Sequence, residues 1–237
     1  MSLLELHGVS KRFGGLLANQ EVSFTVETAQ IVGLIGPNGA GKTTAFNCVA
    51  GFYAPSDGHI TLDGKTISGL APEACARAGV ARTFQIARTF TSMTACENVM
   101  AAALLHHRRV PAALATALQW LAFVGLARFA DKPAGSMTIS EQRRLAVARA
   151  LAIAPKLLLM DEVMAGLNPT EVREMVKVVL AIRERGVACL IVEHVLEGIM
   201  PIADKIVVLD RGIKIADGTP AEVSRDPAVI AAYLGDA

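Results

Sequence analysis

The sequence predicts an α/β fold in which a buried, mostly parallel sheet carries an N-terminal antiparallel β-subdomain and an inserted α-helical subdomain. Three observations predict it. Continuous apolar runs at Ile31–Ile35, Leu157-Leu158-Leu159-Met160 and Ala188–Val192 are the pattern of strands covered on both faces. Residues 21–26 alternate polar and apolar side chains, as a half-buried strand does. From about Ala87 to Gly135 strand signals give way to alanine- and leucine-rich helical patterns, which places the helical subdomain at residues 87–140. The whole chain, residues 1–237, is expected to form one domain, and a length of 237 residues supports a sizeable core.

Taken in order, Gly14-Gly15 marks a turn between two antiparallel N-terminal strands, the second holding residues 21–26. The run Ile31–Ile35 then ends in a glycine-rich loop, and Thr43-Thr44-Ala45-Phe46 begins a helix. The strands at 157–160 and 188–192 both end in charged residues, so polar groups gather at strand ends, where doubly wound folds bind ligands. Near the end, Ile206-Val207-Val208-Leu209 and Ile213-Lys214-Ile215 flank Asp210-Arg211-Gly212, a strong hairpin signal.

Composition narrows the function. Hydrophobic residues make up 52% and charged residues 19%, which excludes a disordered chain. A formal net charge of +1 gives no global field for nucleic acid, and none is expected as a partner. Cys48, Cys75, Cys96 and Cys189 are scattered without CxxC spacing, so a zinc site or disulfide framework is not expected, and a reducing cytosol is the simplest compartment. The N-terminal basic residues follow a short mixed stretch, the reverse of a signal peptide. Residues 110–127 are nearly all apolar, but Pro111, Gln119 and Gly125 interrupt them. Leu114, Leu118 and Leu121 recur at helical spacing, which favours a buried amphipathic helix over a membrane span. The cluster His106-His107-Arg108-Arg109 reads as a solvated helix end; contact with anionic lipid headgroups or a loop of a partner protein is the competing reading.

The chemistry starts at Gly36-Pro37-Asn38-Gly39-Ala40-Gly41-Lys42-Thr43, which fits G-x-x-x-x-G-K-[ST] with a strand before it and a helix after it. This makes the core that of a P-loop NTPase. Glycines let backbone N–H groups approach phosphate oxygens, and the following helix start, with Thr44 in its first turn, adds partial positive charge. Lys42 is expected to reach the β- and γ-phosphates of ATP, and the Thr43 hydroxyl to ligate Mg²⁺. The second half is Asp161-Glu162, delivered by a buried strand. Asp161 is placed to hold Mg²⁺, and Glu162 to act as general base on the attacking water.

With these two motifs the chain resembles the ABC transporter ATPases over essentially its whole length. The resemblance implies that Gln85, in Arg82-Thr83-Phe84-Gln85, contacts Mg²⁺ and senses a transmembrane partner. It implies that His194 contacts the γ-phosphate, that Phe13 stacks on adenine, and that Ala165-Gly166-Leu167-Asn168-Pro169 crosses a dimer interface. Within the family the chain is most similar to the ATPase subunits of branched-chain amino-acid importers. That likeness rests on Lys11-Arg12-Phe13-Gly14-Gly15-Leu16, Gly79-Val80-Ala81-Arg82-Thr83-Phe84-Gln85, the string from Asp161 to Pro169, and Ala232-Tyr233-Leu234-Gly235. It implies a peripheral subunit on the cytoplasmic face of the inner (plasma) membrane. The implied partners are a second, homologous ABC ATPase, transmembrane permease subunits and, indirectly, a periplasmic solute-binding protein. The competing readings are an exporter ATPase of the lipopolysaccharide type and a soluble ABC ATPase acting as a mechanical switch. One P-loop, no sustained heptads and no basic excess stand against the last.

One segment departs from the family. Gln142-Arg143-Arg144-Leu145 is intact, but Met137-Thr138-Ile139-Ser140-Glu141 stands where LSGGQ or LSYGE is usual. Thr138 keeps a hydroxyl able to bind a γ-phosphate; Ile139 and Ser140 replace residues that let the helix start approach a nucleotide. A side chain at Ser140 is expected to push the loop outward or demand an unusual backbone angle. Two readings follow: the chain lends a weakened signature to a distinct partner subunit, or the segment supports normal chemistry.

Overall fold

The computed structural model describes residues 2–83 and 89–234. The first layer is an antiparallel sheet. Strands β1 (Ser2–Phe13) and β2 (Leu16–Glu27) turn at Gly14-Gly15, and the sheet continues with β4 (Asp57–Leu62) and β5 (Lys65–Thr66) in the order β2-β1-β4-β5. Strand β3 (Ile31–Ile35) enters the second sheet instead and leads to helix α1 (Lys42–Val49). Helix α2 (Pro72–Ala78) and strand β6 (Val80–Arg82) follow β5.

The helical stretch then contains α3 (Ala95–Ala103), α4 (Val110–Phe123) and α5 (Ile139–Leu151). The chain returns to the sheet through β7 (Leu157–Asp161), α6 (Pro169–Glu184) and β8 (Ala188–Val192). It ends with α7 (Leu196–Ile199), β9 (Lys205–Asp210), β10 (Ile213–Gly218), α8 (Pro220–Val223) and α9 (Pro227–Leu234). The second sheet has the order β10-β9-β3-β8-β7-β6, parallel except for the β9–β10 hairpin. That hairpin turns on Arg211 and Gly212, both at positive φ (46° and 83°), the conformation a two-residue turn needs to match strand twist.

The parallel sheet divides two cores. Ile31, Leu158, Met160, Cys189, Ile191, Ile206 and Val208 face the layer of α3–α6. Their alternating neighbours Val32, Leu34, Leu157, Leu159, Leu190, Val192 and Val207 face α1 and the antiparallel sheet. Every residue of β3, β7 and β8 is buried, so the continuous apolar runs have their physical cause in packing on both faces.

Helix α4 corrects one expectation. Its buried stripe is Ala113, Ala117 and Leu121, whereas Leu114 and Leu118 are 40% and 44% exposed. Alanines let α4 lie close against α3 and α5, and the two leucines fall about 100° around the helix from that stripe. Among the described residues no helix is long and apolar enough to cross a membrane. The two histidines of the basic cluster are tied locally: His106 Nε2 lies 2.8 Å from the Ile153 carbonyl, and His107 Nε2 lies 3.0 Å from Thr116 Oγ1. All four cysteines are buried and free.

Candidate nucleotide site

The loop between β3 and α1 borders a cleft of about 610 Å³. Asn38, Gly39, Ala40, Gly41, Lys42, Thr43 and Thr44 line one side of it, and Glu162 and His194 line another. Two glycines make the loop possible. Gly36 has φ +145°, and a Cβ there would lie 2.0 Å from the Leu209 carbonyl oxygen. Gly41 has φ +93°, and a Cβ would lie 2.4 Å from the Ala18 carbonyl oxygen. Gly41 is also the N-cap of α1; no side chain caps that helix and no acid lies in its first turn. Its N–H groups therefore face the cleft as anion donors.

Lys42 is buried, and its Nζ donates to the carbonyls of Gly36 (2.8 Å) and Pro37 (2.9 Å). Burial lowers its pKa from the ordinary lysine value, against a smaller upward pull from the Glu162 carboxylate. Gly36 and Pro37 thus hold the lysine ammonium while the residues from Asn38 onward form the wall.

Strands β7 and β8 end side by side, with Asp161 opposite Val192. Glu162 follows at φ +50°, a left-handed conformation that is costly for a residue with a Cβ. Its N–H donates to the Val192 carbonyl (2.8 Å), and its own carbonyl accepts from Arg143 of α5. This twist aims the Glu162 carboxylate at His194, with Oε1 3.2 Å from Nε2. Next to His194, Glu193 is buried; its Oε1 accepts the Met164 N–H at 2.7 Å. Burial pushes the Glu193 carboxyl up to about 7, opposed by backbone N–H groups of Met164, Val195 and His194 and by the Arg143 charge. Arg143 Nη2 also donates to the Ala165 carbonyl (3.1 Å), so α5 and β8 together fix the turn after Glu162.

Asp161 ends β7 just before Glu162 and is not among the cleft-lining residues; it is 5% exposed, with Oδ2 2.9 Å from Arg82 Nη2. Its carboxylate and the exposed Thr43 hydroxyl are hard oxygen donors of the kind Mg²⁺ takes, so the donor chemistry fits that ion.

The remaining expected residues among those described do not line the cleft. Phe13 closes β1 at the tip of the antiparallel sheet, 40% exposed, with its ring edge-on to Tyr53 at 5.1 Å. Leu16, Leu17 and Ala18 line the cleft on that side rather than Phe13. Thr138 and Ser140 begin α5 and do not line the cleft of their own chain. Gln85 lies outside the described residues. The expected unusual backbone at Ser140 is not found: α5 starts at Ile139 on an ordinary N-cap at Thr138 (φ −65°, ψ 164°), and Ser140 lies within the first turn, 4% exposed. The first turn of α5 buries the hydroxymethyl group instead of clashing with it.

Residues not foreseen as part of the site are Arg211 and Gly212, whose hairpin turn lines the cleft, Arg82 and Arg143, which hold Asp161 and Glu162 from behind, and Glu193, which holds Met164 in the turn that follows. The turn itself was legible at Asp210-Arg211-Gly212, but its position over the loop depends on β9 pairing with β3.

Residues 19–165 match the ABC transporter family, and residues 214–237 match the family described as branched-chain amino acid ATP-binding cassette transporter. The chain is 44% identical to the high-affinity branched-chain amino acid transport ATP-binding protein BraF of Pseudomonas aeruginosa, covering 99% of this chain and 98% of that protein. It is 41% identical to LivG of Escherichia coli, a protein of the same description, with the same coverage. Identity is 34% to the lipopolysaccharide export system ATP-binding protein LptB of Haemophilus influenzae, over 100% of this chain and 98% of that one. The crystal structure of a nucleotide-free ATP-binding cassette from an ABC transporter superposes with a TM-score of 0.91 at 28% identity, each chain covered in full. With the phosphate loop, the twisted Glu162 and His194 around one cleft, these likenesses show that the chain belongs to the ABC transporter family as an ATP-binding, ATP-hydrolysing subunit.

Proposed function

We propose that the chain energises import of branched-chain or related amino acids from the cytoplasmic face of the plasma membrane, by hydrolysing ATP with Mg²⁺. The observation that carries the chemistry is the Glu162–His194 contact of 3.2 Å at the side of the phosphate-loop cleft. It sets a base for the attacking water beside a donor for the γ-phosphate. The N–H groups from Asn38 to Thr44 cradle the phosphates. Lys42 turns from the Gly36 and Pro37 carbonyls to the β- and γ-phosphates. Glu162 takes the proton of the water, and His194 and Lys42 hold the charge that develops on the γ-phosphate. Thr43 and Asp161, with Gln85, would hold Mg²⁺, which when bound neutralises phosphate charge. Leu16 lines the base side of the site, and Phe13, at the tip of the same hairpin and outside the cleft lining, would swing against the adenine when nucleotide binds.

Import is favoured over export by identity: 44% to BraF against 34% to LptB. We read residues 1–237 as one ABC ATPase domain, with residues 87–140 as its helical subdomain. It works as one half of a pair, docked on permease subunits that a periplasmic solute-binding protein supplies. Thr138 and the first turn of α5, which contains Ser140, lie toward the nucleotide held by the other subunit, Thr138 by its hydroxyl and Ser140 by its backbone.

The partner subunit is homologous and distinct, and this chain lends it a weakened signature. Thr138 Oγ1 is engaged by the Glu141 N–H, and Glu141 Oε2 accepts the Thr138 N–H and pairs with Lys132. The start of α5 thus satisfies the Thr138 and Glu141 N–H groups from within its own chain. Hydrolysis by the reconstituted complex tests this. Glu162→Gln is expected to remove most of the activity, about 100-fold at its own site, and the same change in the partner to remove little. Equal losses would rule out the asymmetric pair.

A further inference from the structure

Arg82 is the last residue of β6, three residues before Gln85, and backs Asp161 from outside the cleft. Its side chain is 12% exposed and is held on several sides. Nη2 lies 2.9 Å from Asp161 Oδ2, and Nη1 donates to Asn47 Oδ1. The guanidinium carbon lies 5.0 Å from the Phe46 ring centre and 5.2 Å from that of Phe52. Phe46 and Asn47 belong to α1, the helix that the phosphate loop opens, and Phe52 follows it. Register explains the placement. Arg82 pairs with Leu159 across the parallel β6–β7 ladder, and Leu159 and Asp161 project to the same face. The diagonal from Arg82 to Asp161 is therefore within reach of a long side chain. Thr83 adds a second tie: its Oγ1 accepts the Asp161 N–H at 3.3 Å, while its own N–H donates to the Leu159 carbonyl at 2.9 Å.

We infer that Arg82 is a positioning residue for the metal carboxylate: by engaging Oδ2 while anchored on α1, it fixes the orientation of the Asp161 carboxylate that would hold Mg²⁺. One cation thereby ties together the phosphate-loop helix, the metal carboxylate and the strand leading to Gln85. Two effects oppose each other. A guanidinium near a divalent ion repels it, which weakens metal binding. A planar fork that fixes a ligating carboxylate strengthens it, and outer partners of this kind typically change metal affinity by about 10–100-fold. The anchoring by Asn47 and two rings is what a positioning role needs and a mere counter-charge does not, so orientation dominates.

The inference rests on the Mg²⁺ reading above, and equilibrium binding separates the two. Binding of ATP to the full chain is measured with Mg²⁺ varied and with EDTA. Wild type should bind ATP more tightly as Mg²⁺ rises; a wild-type affinity indifferent to Mg²⁺ overturns the metal reading itself. Arg82→Lys keeps the charge and loses the fork. It should raise the Mg²⁺ concentration for half-maximal effect by about 10-fold, with ATP affinity in EDTA changed by less than about twofold. Asn47→Ala, which leaves the ion pair in place and loosens its anchor, should raise it by a few-fold and covers the case in which an Arg82 variant does not fold. Unchanged half-saturation in both variants overturns the positioning role. So does tighter Mg²⁺ binding in Arg82→Met, which would make Arg82 a repulsive charge.

Discussion

Two helices of this molecule start at places where a nucleotide phosphate is expected, and they start differently. Helix α1 opens on Gly41 with φ +93°, no side-chain cap and no acid in its first turn. Helix α5 opens on Thr138 with a complete capping box, a buried carboxylate at Glu141 and Lys132 paired to that carboxylate at 2.7 Å. An open helix start leaves all its N–H groups and the partial positive charge for an anion; a capping box uses two of those donors internally and sets a carboxylate among them. The first is therefore built to receive phosphate from its own chain's cleft. The second is stable without one, which is why the proposed contribution of this chain to its partner's site is the weaker of the two.

The largest effect should come from the open end. Lys42→Ala removes the cation that the Gly36 and Pro37 carbonyls hold beside the phosphates. A charge-assisted contact is worth about 1.5–3 kcal/mol, so ATP should bind roughly 10- to 100-fold more weakly in equilibrium titration, with a larger loss in turnover. Binding within about twofold of wild type would mean that the backbone N–H groups alone hold the phosphates.

The closed end should fail in stability first. Thr138→Ala removes the cap and should cost about 1 kcal/mol, a fall of roughly 2–4 °C in melting temperature for a domain of this size. Burial works to raise the Glu141 carboxyl, but the Lys132 pair and the Thr138 N–H outweigh it, and the group lies below the ordinary carboxylate value. A depressed carboxyl contributes stability above its unfolded pKa and loses it as pH falls through the folded one. The wild-type contribution should therefore be present at neutral pH and fade on acidification below the ordinary glutamate range. Glu141→Gln should melt lower at neutral pH and show a shallower acid-side decline in thermal melts. A Glu141→Gln variant as stable as wild type at pH 7 would show that the box is geometry without energy.

How far each end was legible follows from the same contrast. The phosphate loop is eight consecutive residues between an apolar strand and a helix, so neighbours in sequence make the site. The buried strands were legible for a similar reason, since burial on both faces writes itself as an unbroken apolar run. The start of α5 was read through its departure from a family motif, which directed attention to the missing glycine. Thr138-Ile139-Ser140-Glu141 is itself the capping-box pattern, and the structure has that box. The face of α4 was misjudged because leucine and alanine both count as apolar, and only packing against α3 and α5 decides which stripe turns inward. Arg82, Arg143 and Glu193 were hidden because each acts across a gap of 19 to 79 residues, set by strand register and not by local pattern.

The smallest expected effect belongs to the residue that first drew attention. Ser140 occupies the place where the family has glycine, and the sequence alone suggested an obstruction. In the structure its side chain is turned inward, 4% exposed, while the exposed tip is Ile139 at 62%. Ser140→Gly therefore removes little from the surface a partner's nucleotide would meet. It exchanges one weak helix former for a weaker one at a cost of a few tenths of a kcal/mol. Hydrolysis at the partner's site should change by less than about twofold. The closed cap at Thr138 and Glu141, not the hydroxymethyl group, then limits the signature. A rise of about tenfold in Ser140→Gly would reverse that assignment, because it would require the side chain to leave its buried place when the two subunits close.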